Sequence, residues 1–250
     1  MRPTSPYPPL SASSCIVVLA VAAALGACDD KEASKAVASA SAAPSATEAP
    51  PPPAPKPPVV VVEDALITVS GERIDTAGDA KGRLVAILTG RPKVAGEIIE
   101  IQALREVKYP RVATTIAALR EVKAKGVVVK TGLRDHSLGE LSMDFTPPTA
   151  CSPMAMIAKD NAVLVWPASG GVAQRYTHGM AGPDLTLGSD GVRRLGASCD
   201  STTFVVAGDE STKWGLVFDL AVAVRTVEGG VPKQTQAWVP TETLVPGHKL

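Results

Sequence analysis

The chain has 250 residues with 25 basic and 25 acidic side chains, 45% hydrophobic residues and only 4% aromatic ones. Balanced charge offers no electrostatic footprint for nucleic acid and no basic belt for anionic lipid headgroups, so neither is expected as a partner. With so few rings, aliphatic side chains must carry the core.

The first element is the apolar run Ile16-Val-Val-Leu-Ala-Val-Ala-Ala-Ala-Leu-Gly-Ala-Cys28. It ends in Leu25-Gly26-Ala27-Cys28, a large aliphatic and two small residues ahead of a cysteine, which is the pattern of a bacterial lipobox. The stretch from Cys15 to Ala27 suits a signal h-region and falls short of the roughly 20 residues that span a bilayer. Residues 1–27 therefore read as a lipoprotein signal peptide, although Arg2 is its only basic side chain. Cys28 reads as the acylated mature N-terminus, facing the periplasm of a bacterial cell envelope. A lipobox cysteine with more than one acyl chain meets the two-signal requirement for stable anchoring, so the membrane is a partner through lipid.

Residues 28–58 are dominated by Ala, Ser and Pro and end in Pro50-Pro-Pro-Pro-Ala-Pro-Lys-Pro-Pro58. Too little apolar bulk is present to offset the entropy of ordering, so this segment reads as a tether. Its proline end is expected to extend at about 3.1 Å per residue.

The pattern then changes. Val59-Val-Val-Val62 and Leu66-Ile-Thr-Val69 are β-branched runs that read as a hairpin. Residues 79–89 form a short helical stretch with Leu84, Ile87 and Leu88 on one face. Ile98-Ile-Glu-Ile101 reads as a strand. From Tyr109 to Lys125, apolar side chains at Tyr109, Val112, Ile116, Leu119 and Val122 fall three and four apart, which predicts an amphipathic helix. Gly126 is expected to stop it before a strand at Val127-Val-Val129. Residues 59–146 thus form a first β-β-α-β-α-β domain, and Pro147-Pro148 marks its boundary.

Residues 151–240 repeat that order. Met156-Ile157 and Val163-Leu-Val-Trp166 read as a hairpin, 184–197 as a weaker helix interrupted by glycines, and Thr203-Phe-Val-Val206 as a strand. Lys213 to Val227 is a strongly apolar helix ended by Gly229-Gly230, and Gln236-Ala-Trp-Val239 is the last strand before a tail at 241–250. A constant offset that sets Trp214 on Tyr109 also sets Phe204 on Ile99, Val217 on Val112 and Val224 on Leu119. Internal duplication follows. The expected fold class is α+β: two tandem units, each a small mixed sheet with two helices packed on one face.

Cys15 leaves with the signal and Cys28 takes the lipid, so Cys151 and Cys199 remain as an even pair in a compartment where disulfides persist. A bridge between them would contribute roughly 3–4 kcal/mol in the chain-entropy model. The alternative is two buried thiols that never meet.

Leu66-Ile-Thr-Val-Ser-Gly-Glu-Arg-Ile74, Ala103-Leu-Arg-Glu-Val-Lys-Tyr109 and Val112 to Thr131 together resemble the periplasmic domain of the ExbD/TolR family. The resemblance covers residues 59–131 well and 152–240 faintly. Leu104 stands where the family has Asp, and the offset puts Asp209 at the corresponding place in the second half. Likewise Pro110 replaces a glycine that Trp214-Gly215 keeps. ExbD and TolR begin with a transmembrane helix whose buried Asp takes part in proton-motive coupling. This chain has a lipobox instead, and Asp29 and Asp30 lie in the aqueous phase, so that role is not carried over. What the resemblance implies is dimerisation, and contact with an envelope protein or peptidoglycan, as an accessory of an energised biopolymer transport system.

No catalytic residues, cofactor or metal site are predicted. His136, His178 and His248 stand far apart, and Asp135-His136 reads as a solvated loop pair. Lys130-Thr131-Gly132 copies a penicillin-binding-protein triplet without the Ser-x-x-Lys that should precede it. Gly188-Ser189-Asp190-Gly191 lacks the spacing of a nucleophile elbow and reads as a turn. Tyr109 and Trp214 read as core anchors rather than ligand-stacking rings. The expected function is a non-catalytic envelope lipoprotein, with a cell-wall hydrolase as the alternative. Strands 127–131 and 236–239 are candidate edges on which a partner strand could add.

Overall fold

A computed structural model describes residues 56–134, 137–177, 179, 182–226 and 232–250. The predicted signal peptide, Cys28 and most of the tether, with Asp135, His136, His178, Val227 and Gly229-Gly230, lie outside the described residues. No helix among the described residues is long and apolar enough to cross a membrane.

The first series is β1 (Val59–Val62), β2 (Leu66–Val69), β3 (Glu72–Asp75), α1 (Ala80–Thr89), β4 (Ile98–Ala103), α2 (Tyr109–Glu121), β5 (Gly126–Gly132) and β6 (Leu138–Asp144). The second is β7 (Pro153–Ile157), β8 (Val163–Pro167), β9 (Gln174–Tyr176), α3 (Leu185–Gly196), β10 (Thr203–Gly208), α4 (Trp214–Arg225) and β11 (Gln236–Trp238). The chain is α+β, with four helices and two mixed sheets among the described residues.

The two sheets repeat one topology. The first runs β3-β2-β1-β4-β5-β6 and the second β9-β8-β7-β10-β11. In each, the central strand is antiparallel to its hairpin partner and parallel to the strand that follows the first helix. That parallel pairing requires a crossover, which α1 and α3 supply. Asp79 and Asp184, equivalent under the offset, cap these helices by accepting the Gly82 and Leu187 amides, each at 2.9 Å.

Three strands go beyond the sequence expectations. β3 and β9 are short polar edges, and β6 pairs with β5 along its whole length. β5 is therefore internal, and β11, the terminal strand of the second sheet, lies near β6. Of the two expected edges, the strand at 127–131 is internal, whereas the strand at 236–239 is the edge of its sheet. α2 closes at Val122, and Lys123 at φ 59° turns the chain out of the helix. Gly126 does not stop the helix but opens β5, where a Cβ would sit 2.6 Å from the Met143 carbonyl of β6. The Gly188–Gly191 segment is not a turn either: it lies inside α3.

The described residues form one compact unit, and buried side chains of both sheets join in one core. Leu84 and Leu88 of α1 and Ile116 and Leu119 of α2 are almost fully buried. Each such burial contributes roughly 1.5–3 kcal/mol relative to exposure.

The halves meet about a local two-fold. Lys108 and Lys213, equivalent positions, form an antiparallel bridge. The Tyr109 amide donates to the Thr212 carbonyl at 2.8 Å, and the Trp214 amide donates to the Val107 carbonyl at 2.7 Å. Equivalent donors thus reach equivalent acceptors. Neither lysine caps its helix with a side chain. The first N–H of α2 and of α4, which have no partner within their own helices, are satisfied by the opposite half.

Candidate functional site

Around this axis the symmetry breaks at Arg105 and its equivalent Glu210. On one side, Arg105 makes a bidentate ion pair with Asp219 of α4, at 2.9 and 2.6 Å, and donates to the Gly132 carbonyl at 3.0 Å. Arg134 also reaches Asp219, at 3.1 Å. The hydrogen bond to Asp219 raises the Arg105 pKa against the opposing effect of burial. Gly215 makes room for this side chain, since a Cβ there would lie 2.9 Å from that of Arg105. At the equivalent positions on the other side stand Glu210, Thr114 and Pro110, and they line a small cleft of about 90 Å³ closed by residues 240–244.

Tyr109 borders that cleft. Its ring is buried, its hydroxyl has no hydrogen-bond partner, and burial pushes its pKa well above the ordinary tyrosine value. Its counterpart Trp214 donates Nε1 to Thr131 Oγ1 at 2.8 Å. Both act as anchors of the core, as their positions at the helix starts suggested. Arg120, further along α2, stacks on Trp238 at 3.7 Å and lies over Phe145 at 5.1 Å. It also donates to the Val239 carbonyl at 3.1 Å. Burial pushes its pKa down to about 10, so it remains a cation at neutral pH.

The larger asymmetry is between the sheet faces turned away from the helices. Strand register makes Val59, Val61, Glu100, Gln102 and Val128 of the first sheet correspond to Met154, Met156, Val205, Ala207 and Trp238 of the second. In the second sheet this face is apolar, and β7 and β10 are buried along their whole lengths. The C-terminal segment returns across it. Trp166 Nε1 donates to the His248 carbonyl at 2.9 Å, the Leu250 amide donates to the Ala168 carbonyl at 3.0 Å, and Leu244 is buried.

In the first sheet the same face is open. Ile98, Leu104 and Leu138 are 53, 59 and 64% exposed. Lys130 bridges Glu100 at 2.8 Å and Glu140 at 3.5 Å. Hydrogen bonds from Gln102 and then Lys130 hold the Glu100 carboxyl below its ordinary value, and Glu100 in turn raises Lys130. A groove crosses this face between Leu104 and Leu138, floored by Gln102 and Lys130. The sequence singled out Leu104, Lys130 and Gly132 for other reasons and did not predict the groove that they line. The signal was present in β4, Ile98-Ile-Glu-Ile-Gln-Ala103, where polar residues fall on one face, while β10 is apolar on both.

The remaining sequence-predicted residues are structural or lie apart from the groove. Cys151 and Cys199 form a disulfide with Cα atoms 5.4 Å apart, closing a separation of 48 residues. Lys130-Thr131-Gly132 is divided by the pleat: Lys130 faces the groove and Thr131 faces Trp214. His248 contributes its backbone carbonyl to Trp166. Asp209 accepts bonds from the amides and hydroxyls of Ser211 and Thr212, all within 2.8–2.9 Å. Burial works against its charged form, but those bonds outweigh it and hold the carboxyl below its ordinary value. Leu104, its partner in the first half, is instead an exposed wall of the groove.

Among the described residues no three His, Cys, Asp or Glu side chains gather closely enough to hold a metal ion. The chemistry available at the open face is recognition through apolar contact and charge. No family model, curated protein or solved structure matches this chain.

Proposed function

We propose that the chain is a lipid-anchored protein of the bacterial envelope whose paired ExbD/TolR-like units bind an envelope protein or peptidoglycan without turnover, as an accessory of an energised biopolymer transport system. Cys28 carries the acyl anchor, and residues 28–58 serve as the spacer between that anchor and the folded unit. The observation that carries the reading is the repeated strand order. The ExbD/TolR resemblance implies one β-β-α-β-α-β unit, and this chain has two whose equivalent residues bond across a local two-fold. The partner site that such a unit would offer to a second copy is thereby filled by the chain's own second half.

The test is retention of the full acylated chain, in detergent micelles, on purified peptidoglycan and on immobilised envelope proteins. Saturable retention on either, with no soluble fragments released, is the expected result. Released muropeptides, lost on replacing a particular polar side chain, would make the protein a cell-wall hydrolase. Processing is checked separately: Cys28→Ser should leave an unacylated precursor, and a labelled Cys28→Ser protein would defeat the anchor assignment.

A further inference from the structure

We propose that the open face of the first sheet seats an extended segment of a partner polypeptide, with an apolar side chain in the notch at Gly132 and a basic side chain against Glu100 and Glu140. The inference rests on the adaptor reading above and deepens it by naming the contact surface and the chemistry of its occupant.

The notch comes first. Gly132 ends β5 between Leu104 and Leu138, and a Cβ built on it would meet nothing within 4 Å. Its backbone needs no glycine, because its φ is not in the left-handed region. The missing side chain therefore leaves a gap on the outer face, walled by two leucines that are more than half exposed. Val61 extends the apolar wall towards β1. The groove that Leu104, Gly132 and Leu138 line together leaves this space open to an apolar side chain of a partner.

Charge decides what flanks that side chain. The outward-facing strand residues of this sheet include Asp75, Glu100, Glu140 and Asp144 against Arg73 and Lys130. Lys130 is already engaged by Glu100 and Glu140. Beside the groove itself two carboxylates, Glu100 and Glu140, face the single Lys130 amine, which favours a basic partner and disfavours an acidic one.

The second sheet shows how this surface is covered elsewhere in the same molecule. Its equivalent face is closed by the C-terminal segment, residues 239–250, which supplies Leu244 and backbone acceptors. The first sheet has the same geometry and no such strap among the described residues. A polypeptide is favoured over a glycan because the outward strand residues of the first sheet include no aromatic ring on which a sugar could stack.

The test uses the full chain in detergent micelles and fluorescently labelled, acetylated pentapeptides followed by anisotropy. The probes alternate lysine with leucine, glutamate with leucine, or lysine with serine. Saturable binding of the lysine–leucine peptide, at least about tenfold tighter than either control, is expected. Gly132→Leu should weaken it at least about tenfold while leaving the melting temperature unchanged, because the new side chain enters open space. Leu138→Ser, at an exposed position, should weaken it without disturbing the fold. Equal binding of the three peptides, no saturable binding, or full binding by Gly132→Leu would each overturn the proposal. Self-association lost in Gly132→Leu would give the face to a second copy, and displacement of the peptide by muropeptides would give it to a glycan. Either overturns the polypeptide assignment and leaves the adaptor reading standing. Peptidoglycan turnover overturns the adaptor reading and leaves the peptide result standing.

Discussion

At the scale of single residues, two glycines make opposite predictions. Gly188 lies inside α3, where alanine would gain about 1 kcal/mol of helix propensity. Its Cβ, however, would sit 2.7 Å from Val163 Cγ1 and 3.1 Å from Val163 Cβ, and a β-branched neighbour in a buried strand cannot swing away. Gly188→Ala should therefore destabilise by about 1–3 kcal/mol. Gly132→Ala should stay within about 0.5 kcal/mol of the parent, since its Cβ meets open space. Urea midpoints of the two variants decide it, and a stabilised Gly188→Ala would mean that α3 does not pack on β8 as described. The Arg105–Asp219 pair yields a second prediction. Its side chains are 21 and 13% exposed, so Asp219→Ala strands a half-buried guanidinium and should cost about 1–3 kcal/mol. Arg105→Met with Asp219→Leu should recover most of that loss in a double-mutant cycle, because an apolar pair leaves no charge unpaired.

At the scale of elements, the Asp209 turn carries a pH dependence whose sign is set by its lowered pKa. A depressed carboxyl contributes stability that is present above its unfolded value, near 3.9, and is lost as pH falls through its folded value. Asp209→Ala should thus lie about 1 kcal/mol below the parent at neutral pH, and the gap should narrow below about pH 4. Thermal melts at pH 7 and pH 3 measure it; a gap that widens on acidification would contradict the hydrogen-bonding described. The elements themselves were legible wherever apolar periodicity was strong: α1, α2, α4 and eight of the described strands follow from it. α3 was harder to read because its glycines mimic a turn. They are there because the helix runs close to Val163 and Tyr176, and close approach between distant segments leaves no local trace. β6 did leave one, since Gly139, Leu141 and Met143 alternate with exposed residues, but its hairpin lies across a segment rich in turn formers. The groove was hidden for a different reason. Which strand is internal depends on β6, and without it β5 reads as a free edge.

At the scale of the whole molecule, the bonds across the local two-fold tie the two sheets into one folding unit. The first amides of α2 and α4 find their acceptors in the opposite half, Trp214 donates into β5, and Arg120 of α2 is wedged against Trp238 of β11. Separating the halves would leave amide donors and an indole N–H without partners, and would expose the apolar surface that joins the two cores. Unfolding is therefore expected to be one transition, with calorimetric and van't Hoff enthalpies equal. Trp214→Phe removes the hydrogen bond to Thr131 and leaves that buried hydroxyl without its donor, at a cost of about 1–3 kcal/mol. In a single cooperative unit this change lowers the melting temperature reported by probes in both sheets by the same amount. If amide-exchange protection falls in β7, β8 and β10 while β1, β4 and β5 keep theirs, the halves are independent domains and the two-fold contact is only an interface between them.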